Sequence, residues 1–171
     1  MSKAILLNTG WTFTKEGHDE PVTLPHTWNA VDGQDGGNDY YRGTCSYTRK
    51  LEKPELSDGD RAVLQFDGVA MTAVVSLNGE KVAEHKGGYS TFRVHVSDLL
   101  AKDNQLTVEV DNSINDHVYP QKADFTFYGG IYRDISLMVV SKNHIALGHF
   151  GDTGVKITPV LKDGKADIRV E

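Results

Sequence analysis

Cysteine is almost absent from the sequence, since the 171 residues contain only Cys45. An intrachain disulfide is therefore excluded, and Cys45, on a strand-like segment, is predicted to be a small core residue rather than a reactive thiol. Long apolar runs are missing too, so no segment has the length of a transmembrane helix. Residues 1–11 carry one lysine and a short apolar patch, unlike a signal peptide. We expect a cytoplasmic protein, or a periplasmic or secreted one whose export signal lies outside this sequence.

Positive charge is scarce as well. Lysine and arginine number 18 against 24 aspartate and glutamate residues, which gives a formal charge of −6, and no basic cluster opposes that balance. Nucleic acid and anionic membranes are therefore poor candidates as partners. The hydrophobic content of 39% is that of an ordinary globular protein, and the length suffices for one well-buried domain.

A sustained 3.6-residue period is not found, so we expect few helices. The sequence instead shows a period of two, with apolar residues at every second position in four segments. These residues are Leu64 and Phe66; Ala73, Val75 and Leu77; Phe92, Val94 and Val96; and Leu106, Val108 and Val110. Such alternation indicates strands with one buried face. Many short strands at regular spacing predict an all-β fold, an antiparallel β-sandwich of jelly-roll type.

Asn78-Gly79 is a strong hairpin signal, because both central residues of a type I′ turn need a positive φ. The register that follows pairs Leu77 with Glu80, Val75 with Val82 and Ala73 with Glu84. Further strands are predicted at 5–13, 22–25, 40–51 and 131–140. Two long stretches without apolar periodicity, 30–39 and 112–127, are predicted to be surface loops, and loops of that length are often functional.

Asp32, Asp35 and Asp39 lie in the glycine-rich loop 30–39. Ca²⁺ takes several oxygens from a flexible loop, but the spacing does not match the EF-hand pattern, and solvated carboxylates are the simpler interpretation. The seven histidines form no His-x-His or His-x-x-x-His pair, which argues against zinc. We expect neither a metal ion nor a cofactor.

A series of motifs extends over nearly the whole chain. In order, they are Leu24-Pro25-His26-Thr27-Trp28-Asn29, Phe66-Asp67-Gly68-Val69, Asn78-Gly79, Gly87-Gly88-Tyr89, Asn104–Val108, Asp111-Asn112 and Gly129-Gly130-Ile131-Tyr132-Arg133-Asp134. The series resembles the N-terminal sugar-binding domain of glycoside hydrolase family 2, which holds β-galactosidases, β-glucuronidases and β-mannosidases. The resemblance implies a galactose-binding-domain-like jelly roll over residues 1–142. It also implies that residues 143–171 are a linker and the first strands of a truncated immunoglobulin-like domain.

The resemblance implies a non-catalytic part of a larger enzyme. Both catalytic glutamates of the family lie in a C-terminal β/α barrel, so we expect no catalytic residue in this chain. The parent enzyme would be most similar to a retaining β-galactosidase, with a β-glucuronidase-type enzyme as the alternative. Its expected partners are a β-galactoside or related glycoside and the C-terminal domains of the same enzyme. Two other interpretations stay open, a stand-alone carbohydrate-binding module and a structural or oligomer-forming domain.

Two substrate-binding residues are implied by the same resemblance. Asp124 stands where the family has an aspartate that hydrogen-bonds sugar hydroxyls at the barrel mouth, and a carboxylate can accept two such donors. The alternative is a turn aspartate that bonds its own backbone. Asn29 matches a second sugar-contacting residue, with a plain loop role as its alternative.

Four aromatic residues beside the first loop have a predicted role in the fold. His26 and Trp28 are expected to tie this loop to the sandwich. Tyr40 and Tyr41 are expected to cover the core, with stacking on a pyranose ring as the alternative.

Overall fold

The computed structural model describes residues 3–30, 40–118 and 126–171. This part of the chain forms the strands β1 (Lys3–Leu6), β2 (Trp11–Lys15), β3 (His18–Val22), β4 (Thr44–Glu52), β5 (Arg61–Phe66), β6 (Thr72–Leu77), β7 (Glu80–Lys86), β8 (Phe92–His95), β9 (Asp103–Asp111), β10 (Ile135–Val140), β11 (Ile157–Lys162) and β12 (Lys165–Val170). Its helical elements are two short 3₁₀ turns, Ser97–Leu99 and His149–Gly151. No helix within these ranges has the length and apolar character needed to cross a membrane.

Two antiparallel sheets build the domain. The smaller sheet has the strand order β1-β10-β5-β8, and the larger one has the order β3-β2-β4-β9-β6-β7. Side chains from both sheets contribute to one hydrophobic core. The prediction of an all-β antiparallel sandwich is confirmed.

The alternating pattern places this core. In β9, which pairs with β4 on one side and β6 on the other, Leu106, Val108 and Val110 are completely buried. The residues between them turn to the outer face of the sheet, because successive side chains of a strand point to opposite faces. Cys45 on β4 is buried in the same core, and burial raises the pKa of its thiol to about 11. Its prediction as an unreactive core residue agrees with this environment.

The opening of the chain differs from the prediction. Residues 5–13 do not form one strand, because β1 belongs to the smaller sheet and β2 to the larger one. The chain crosses between the sheets at Gly10, whose φ is +76°. The crossing is held by the Trp11 indole, which donates to the carbonyl of Leu7 over 2.6 Å. The side chains of Leu7 and Trp11 are both buried, so the apolar pattern continues through the crossing. The periodicity of the sequence therefore gives no sign that the chain changes sheets here.

Three other strands have shifted bounds. The strand predicted at 22–25 lies earlier, as β3, which ends at Val22 and pairs with β2 through a tight turn at Glu16 and Gly17, both with positive φ. Because β3 lies at the edge of the sheet, it tolerates Pro21, which lacks a backbone donor. The strands predicted at 40–51 and 131–140 begin later, at Thr44 and Ile135.

The hairpin at Asn78-Gly79 is confirmed at its turn. Both residues have positive φ, 55° and 85°, and Leu77 lies opposite Glu80 as predicted. Beyond the turn the predicted register is wrong. A β-bulge follows Val75, so that Val75 lies opposite Ala83 and Ala73 lies opposite His85. The extra residue lies on β7, which is an edge strand and pairs with β6 alone in its sheet. Bulges are common on edge strands, because they disturb the hydrogen bonds to one neighbouring strand instead of two.

The C-terminal segment forms its own small sheet. Strands β11 and β12 pair with each other, and their apolar side chains Ile157, Leu161 and Val170 are exposed. The preceding linker is tied to the sandwich at Arg93 on β8, whose Nη1 donates to the carbonyls of Gly148 and Asp152 over 2.8 and 3.3 Å. Division of the chain at residue 142 stays a prediction.

Candidate functional site

The residues that flank the segments 31–39 and 119–125 meet at one place in the interior. Asn29, which is completely buried, donates from Nδ2 to the carbonyl of Tyr41 over 2.9 Å. Its Oδ1 accepts from the backbone amide of Gly129 over 2.7 Å and from Nδ2 of Asn112 over 3.2 Å. One side chain thus joins three stretches of chain that are far apart in sequence.

Asn112 completes this arrangement from the end of β9. It is also completely buried, and its Oδ1 accepts from the backbone amide of Gly43 over 2.8 Å. Its Nδ2 lies 3.0 Å from the carbonyl of Phe127, to which it donates. We call Asn29 and Asn112 the asparagine clamp. Because buried amide groups need partners, the clamp fixes the backbone on both sides of each segment.

The structure describes one of the two predicted sugar-binding residues. The amide of Asn29 is buried in the clamp, where it holds the backbone of this domain, and a contact with sugar stays a prediction. Asp124 lies outside the described residues, so its role stays a prediction as well. Asp32, Asp35 and Asp39 also lie outside them. Within the ranges 3–30, 40–118 and 126–171, no group of three or more His, Cys, Asp or Glu side chains is placed to hold a metal ion.

His26 and Trp28 tie their loop to the sandwich, as predicted. Nδ1 of His26 is 2.8 Å from the hydroxyl of Tyr47, and its backbone amide donates to the carbonyl of Ile131 over 2.8 Å. The indole of Trp28 stacks on Phe13 with ring centres 5.9 Å apart. These contacts connect the loop to strands β2 and β4.

Burial lowers the pKa of His26 below its ordinary value, while the negative charge of Glu20 opposes this shift. Burial also raises the pKa of Tyr47, so its hydroxyl stays protonated. A neutral imidazole can accept that proton at Nδ1, and the hydroxyl oxygen of Tyr47 can equally accept from an imidazole N–H. Burial, which disfavours the charged form, is therefore what favours the neutral histidine.

Acidification is expected to destabilise the domain through His26. Above the unfolded pKa of about 6.5 the imidazole is neutral in both states, so it has no effect on the pH dependence. Below that pH the unfolded chain binds the proton first, and the free energy of unfolding falls until the folded imidazole is protonated too. His85, whose pKa burial also lowers, acts in the same sense.

Urea unfolding at pH 7.5, 6.5 and 5.5 checks this prediction. His26→Gln cannot titrate in this range, so its unfolding free energy should depend less on pH than that of the wild type. The slope is the relevant readout, because the variant also loses ring contacts with Phe13. Parallel pH profiles of the two proteins would contradict the prediction.

An open cleft of about 370 Å³ lies beside residues 126–128. Its walls are aromatic and weakly polar, and the residues that form them are Thr27, Ala70, Tyr89, Thr126, Phe127, Tyr128 and Tyr132. Tyr89 and Tyr128 are 62% and 46% exposed, in contrast to the buried aromatic residues of the main core. We call this feature the aromatic cleft.

Tyr40 and Tyr41 pack against buried residues near the clamp and the aromatic cleft. Tyr40 packs against the small cluster of Ala70, Met71 and Phe127, and its hydroxyl accepts from the backbone amide of Phe127 over 3.3 Å. Tyr41 packs against the main core. The interpretation of both tyrosines as core lids agrees with these contacts.

Sequence reasoning gave no role in this region to Tyr128, or to Asn112 of the Asp111-Asn112 motif. Asn112 follows a strand and Tyr128 precedes a Gly-Gly pair, and both positions are typical of ordinary turn residues. Their partners lie far away in sequence: Asn112 and Asn29 are 83 residues apart. A local pattern carries no signal for such a contact.

Comparison with known proteins identifies the domain. A family model described as "Glycosyl hydrolase 2 galactose-binding domain-like" matches residues 38–160. The chain belongs to this family. It is thus a galactose-binding-like N-terminal domain of the family 2 glycoside hydrolase type. The resemblance found in the sequence motifs is confirmed.

Relatives of this domain are longer proteins. A β-glucuronidase of Bacteroides fragilis is 39% identical over 158 residues, which cover 88% of this chain and 23% of that protein. A β-galactosidase of Thermoanaerobacter pseudethanolicus is 29% identical over 96% of this chain and 22% of that protein. The whole chain superposes on 28% of an FMN-binding β-glucuronidase from Facaelibacterium prausnitzii L2-6, with a TM-score of 0.93 and 42% identity. The domain therefore spans about a quarter of these relatives.

Proposed function

We propose that the domain is a non-catalytic part of a glycosidase and supplies one loop to the edge of an active site built by a C-terminal barrel. The observation that carries the proposal is the superposition of the whole chain on part of a β-glucuronidase, at 42% identity and a TM-score of 0.93. The two glutamates that retaining glycosidases need, one as nucleophile and one as acid and base, would lie in that barrel. This chain would hold the substrate and would not cleave it.

The proposed contribution of the domain is Asp124. A carboxylate that accepts hydrogen bonds from two sugar hydroxyls orients the ring for reaction at its anomeric carbon. The support is the clamp, because it holds the carbonyl of Phe127 and the amide of Gly129 a few residues after Asp124. A loop with a fixed base loses less entropy when it binds substrate.

The proposed substrate is a β-glucuronide. The two relatives described above that are 39% and 42% identical are named β-glucuronidases. A β-galactoside, the substrate expected from the sequence motifs, is the second candidate. It is favoured by the β-galactosidase that is 29% identical over nearly the whole chain.

Assays of the whole gene product test the proposed activity and the proposed substrate. Expressed over its full reading frame, it should hydrolyse p-nitrophenyl-β-D-glucuronide at least about tenfold more efficiently than the galactoside, whereas the 171-residue chain should hydrolyse neither. A preference for the galactoside would establish the second candidate. Hydrolysis of neither substrate by the whole product would overturn the proposal.

The proposed contact of Asp124 with the substrate is tested by substitution. Asp124→Ala in the whole product should lower kcat/KM about tenfold or more, because charge-assisted hydrogen bonds to the substrate are lost. Asp116→Ala is the matched control, since Asp116 is an exposed aspartate of the same connection. Equal activity of the two variants would refute the role of Asp124.

A further inference from the structure

The aromatic cleft has the composition of a carbohydrate site. A pyranose ring presents an apolar face of C–H groups and a rim of hydroxyls, and tyrosine complements both with its ring and its own hydroxyl. Two exposed tyrosines, Tyr89 and Tyr128, lie on the wall of the cleft. The volume of about 370 Å³ is at the lower end of small-molecule sites, which favours one sugar ring over an oligosaccharide.

The wall that carries Tyr89 is fixed by other side chains. The hydroxyl of Tyr132 donates to the carbonyl of Gly88, and Nη1 of Arg133 donates to the carbonyl of Tyr89 over 3.3 Å. These two side chains also pack over Gly68, where an added Cβ would lie 2.9 Å from each of them. The backbone of Tyr89 is therefore held before any ligand binds.

The part of the wall formed by residues 127 and 128 is fixed as well. Phe127 packs with Ala70 and Met71, and its carbonyl accepts from Asn112 of the clamp. Tyr128 follows directly along the chain. Because the walls of the cleft are already ordered, little free energy is lost in ordering them when a ligand binds.

We infer that the aromatic cleft binds a single pyranose ring, with the C–H face of the sugar packed on Tyr128 and Tyr89. The inference rests on the proposed function for the class of its ligand, a β-glucuronide or β-galactoside. It adds a sugar contact apart from Asp124, on residues 126–128 that follow the 119–125 segment. Tyr128 and Tyr89 are binding residues in this assignment, and no bond is made or broken at them.

Titration of the 171-residue chain tests the assignment. Methyl β-D-glucuronide and methyl β-D-galactoside serve as probes, and saturation-transfer difference NMR measures binding. We expect a dissociation constant in the millimolar range for at least one probe, because a single ring in an open cleft makes few contacts. Tyr128→Ala and Tyr89→Ala should each weaken binding about fivefold, the loss of one ring contact.

Control variants distinguish the loss of a tyrosine ring contact from a loss of folded structure. Tyr128→Phe keeps the ring and should bind within about twofold of the wild type. Leu161→Ala removes an exposed apolar side chain from the separate β11–β12 hairpin and should leave binding unchanged. Because both tyrosines are largely exposed, the alanine variants should retain the circular dichroism spectrum and urea midpoint of the wild type.

Two results would overturn the inference. One is the absence of binding by the wild type at about 50 mM of either probe. The other is alanine variants that bind like the wild type. If the whole gene product hydrolyses glycosides while the cleft fails this test, only the cleft assignment falls. If the gene product is inactive while binding depends on the tyrosines, the proposed function falls and the cleft stands.

Discussion

Gly130→Ala is expected to lower the free energy of unfolding by about 3–5 kcal/mol, the range of severe single substitutions. The φ of Gly130 is +138°, where a side chain is strained. A Cβ at this position would lie 2.4 Å from the carbonyl oxygen of His26 and 2.9 Å from Cα of Thr27. Both obstacles are backbone atoms, so no rotamer change can relieve the overlap.

The backbone of Gly130 is also unable to move away. Its amide donates to the carbonyl of Ala70 over 3.1 Å, and its carbonyl accepts from the amide of Ala70 over 2.9 Å. Gly79→Ala is the matched control, because Gly79 has a φ of +85° and no atom within 4 Å of an added Cβ. That variant should lose only about 1 kcal/mol, the cost of the left-handed conformation. Urea unfolding compares the two, and equal losses would refute the steric argument.

Asn29→Ala is expected to lower the free energy of unfolding by about 3 kcal/mol, because it removes several buried hydrogen bonds, and a buried donor left unpaired costs about 1–3 kcal/mol. The amide of Gly129 loses its bond to Oδ1 of Asn29. The carbonyl of Tyr41 and Nδ2 of Asn112 each lose one of several partners. Chemical denaturation measures the loss. Asn115→Ala is the control, since Asn115 is partly exposed and its hydrogen bonds to described residues lie within its own turn, so it should cost less than about 1 kcal/mol.

A double-mutant cycle extends this prediction to the clamp. Asn29 and Asn112 share a hydrogen bond, so the double alanine variant should cost less than the sum of the single variants. Strict additivity would show that the two amides act independently, and the idea of a clamp would then be wrong.

The parts of the fold that depend on local pattern could be predicted from the sequence. The alternation at Leu106, Val108 and Val110 places β9 and its buried face, because each side chain's direction follows from its own strand. The turn at Asn78-Gly79 is local in the same way, since its two residues set the backbone angles themselves.

The features that depend on contacts between residues far apart in sequence could not be predicted. The bulge after Val75 adds one residue to β7 with no local marker, and it changes every pairing beyond it. The aromatic cleft is lined by Tyr132, whose hydroxyl donates to the carbonyl of Gly88, 44 residues away in sequence. An asparagine in a loop motif looks the same whether it contacts a ligand or, like Asn29, joins three backbone segments.

The clamp places fixed anchors before and after each of the stretches 31–39 and 119–125. Among the described residues, its hydrogen bonds join residues 29, 41, 43, 112, 127 and 129. A stretch of another length or composition grafted between these anchors would start and end at the same backbone positions. Such grafts offer an engineer a way to change what the domain recognises.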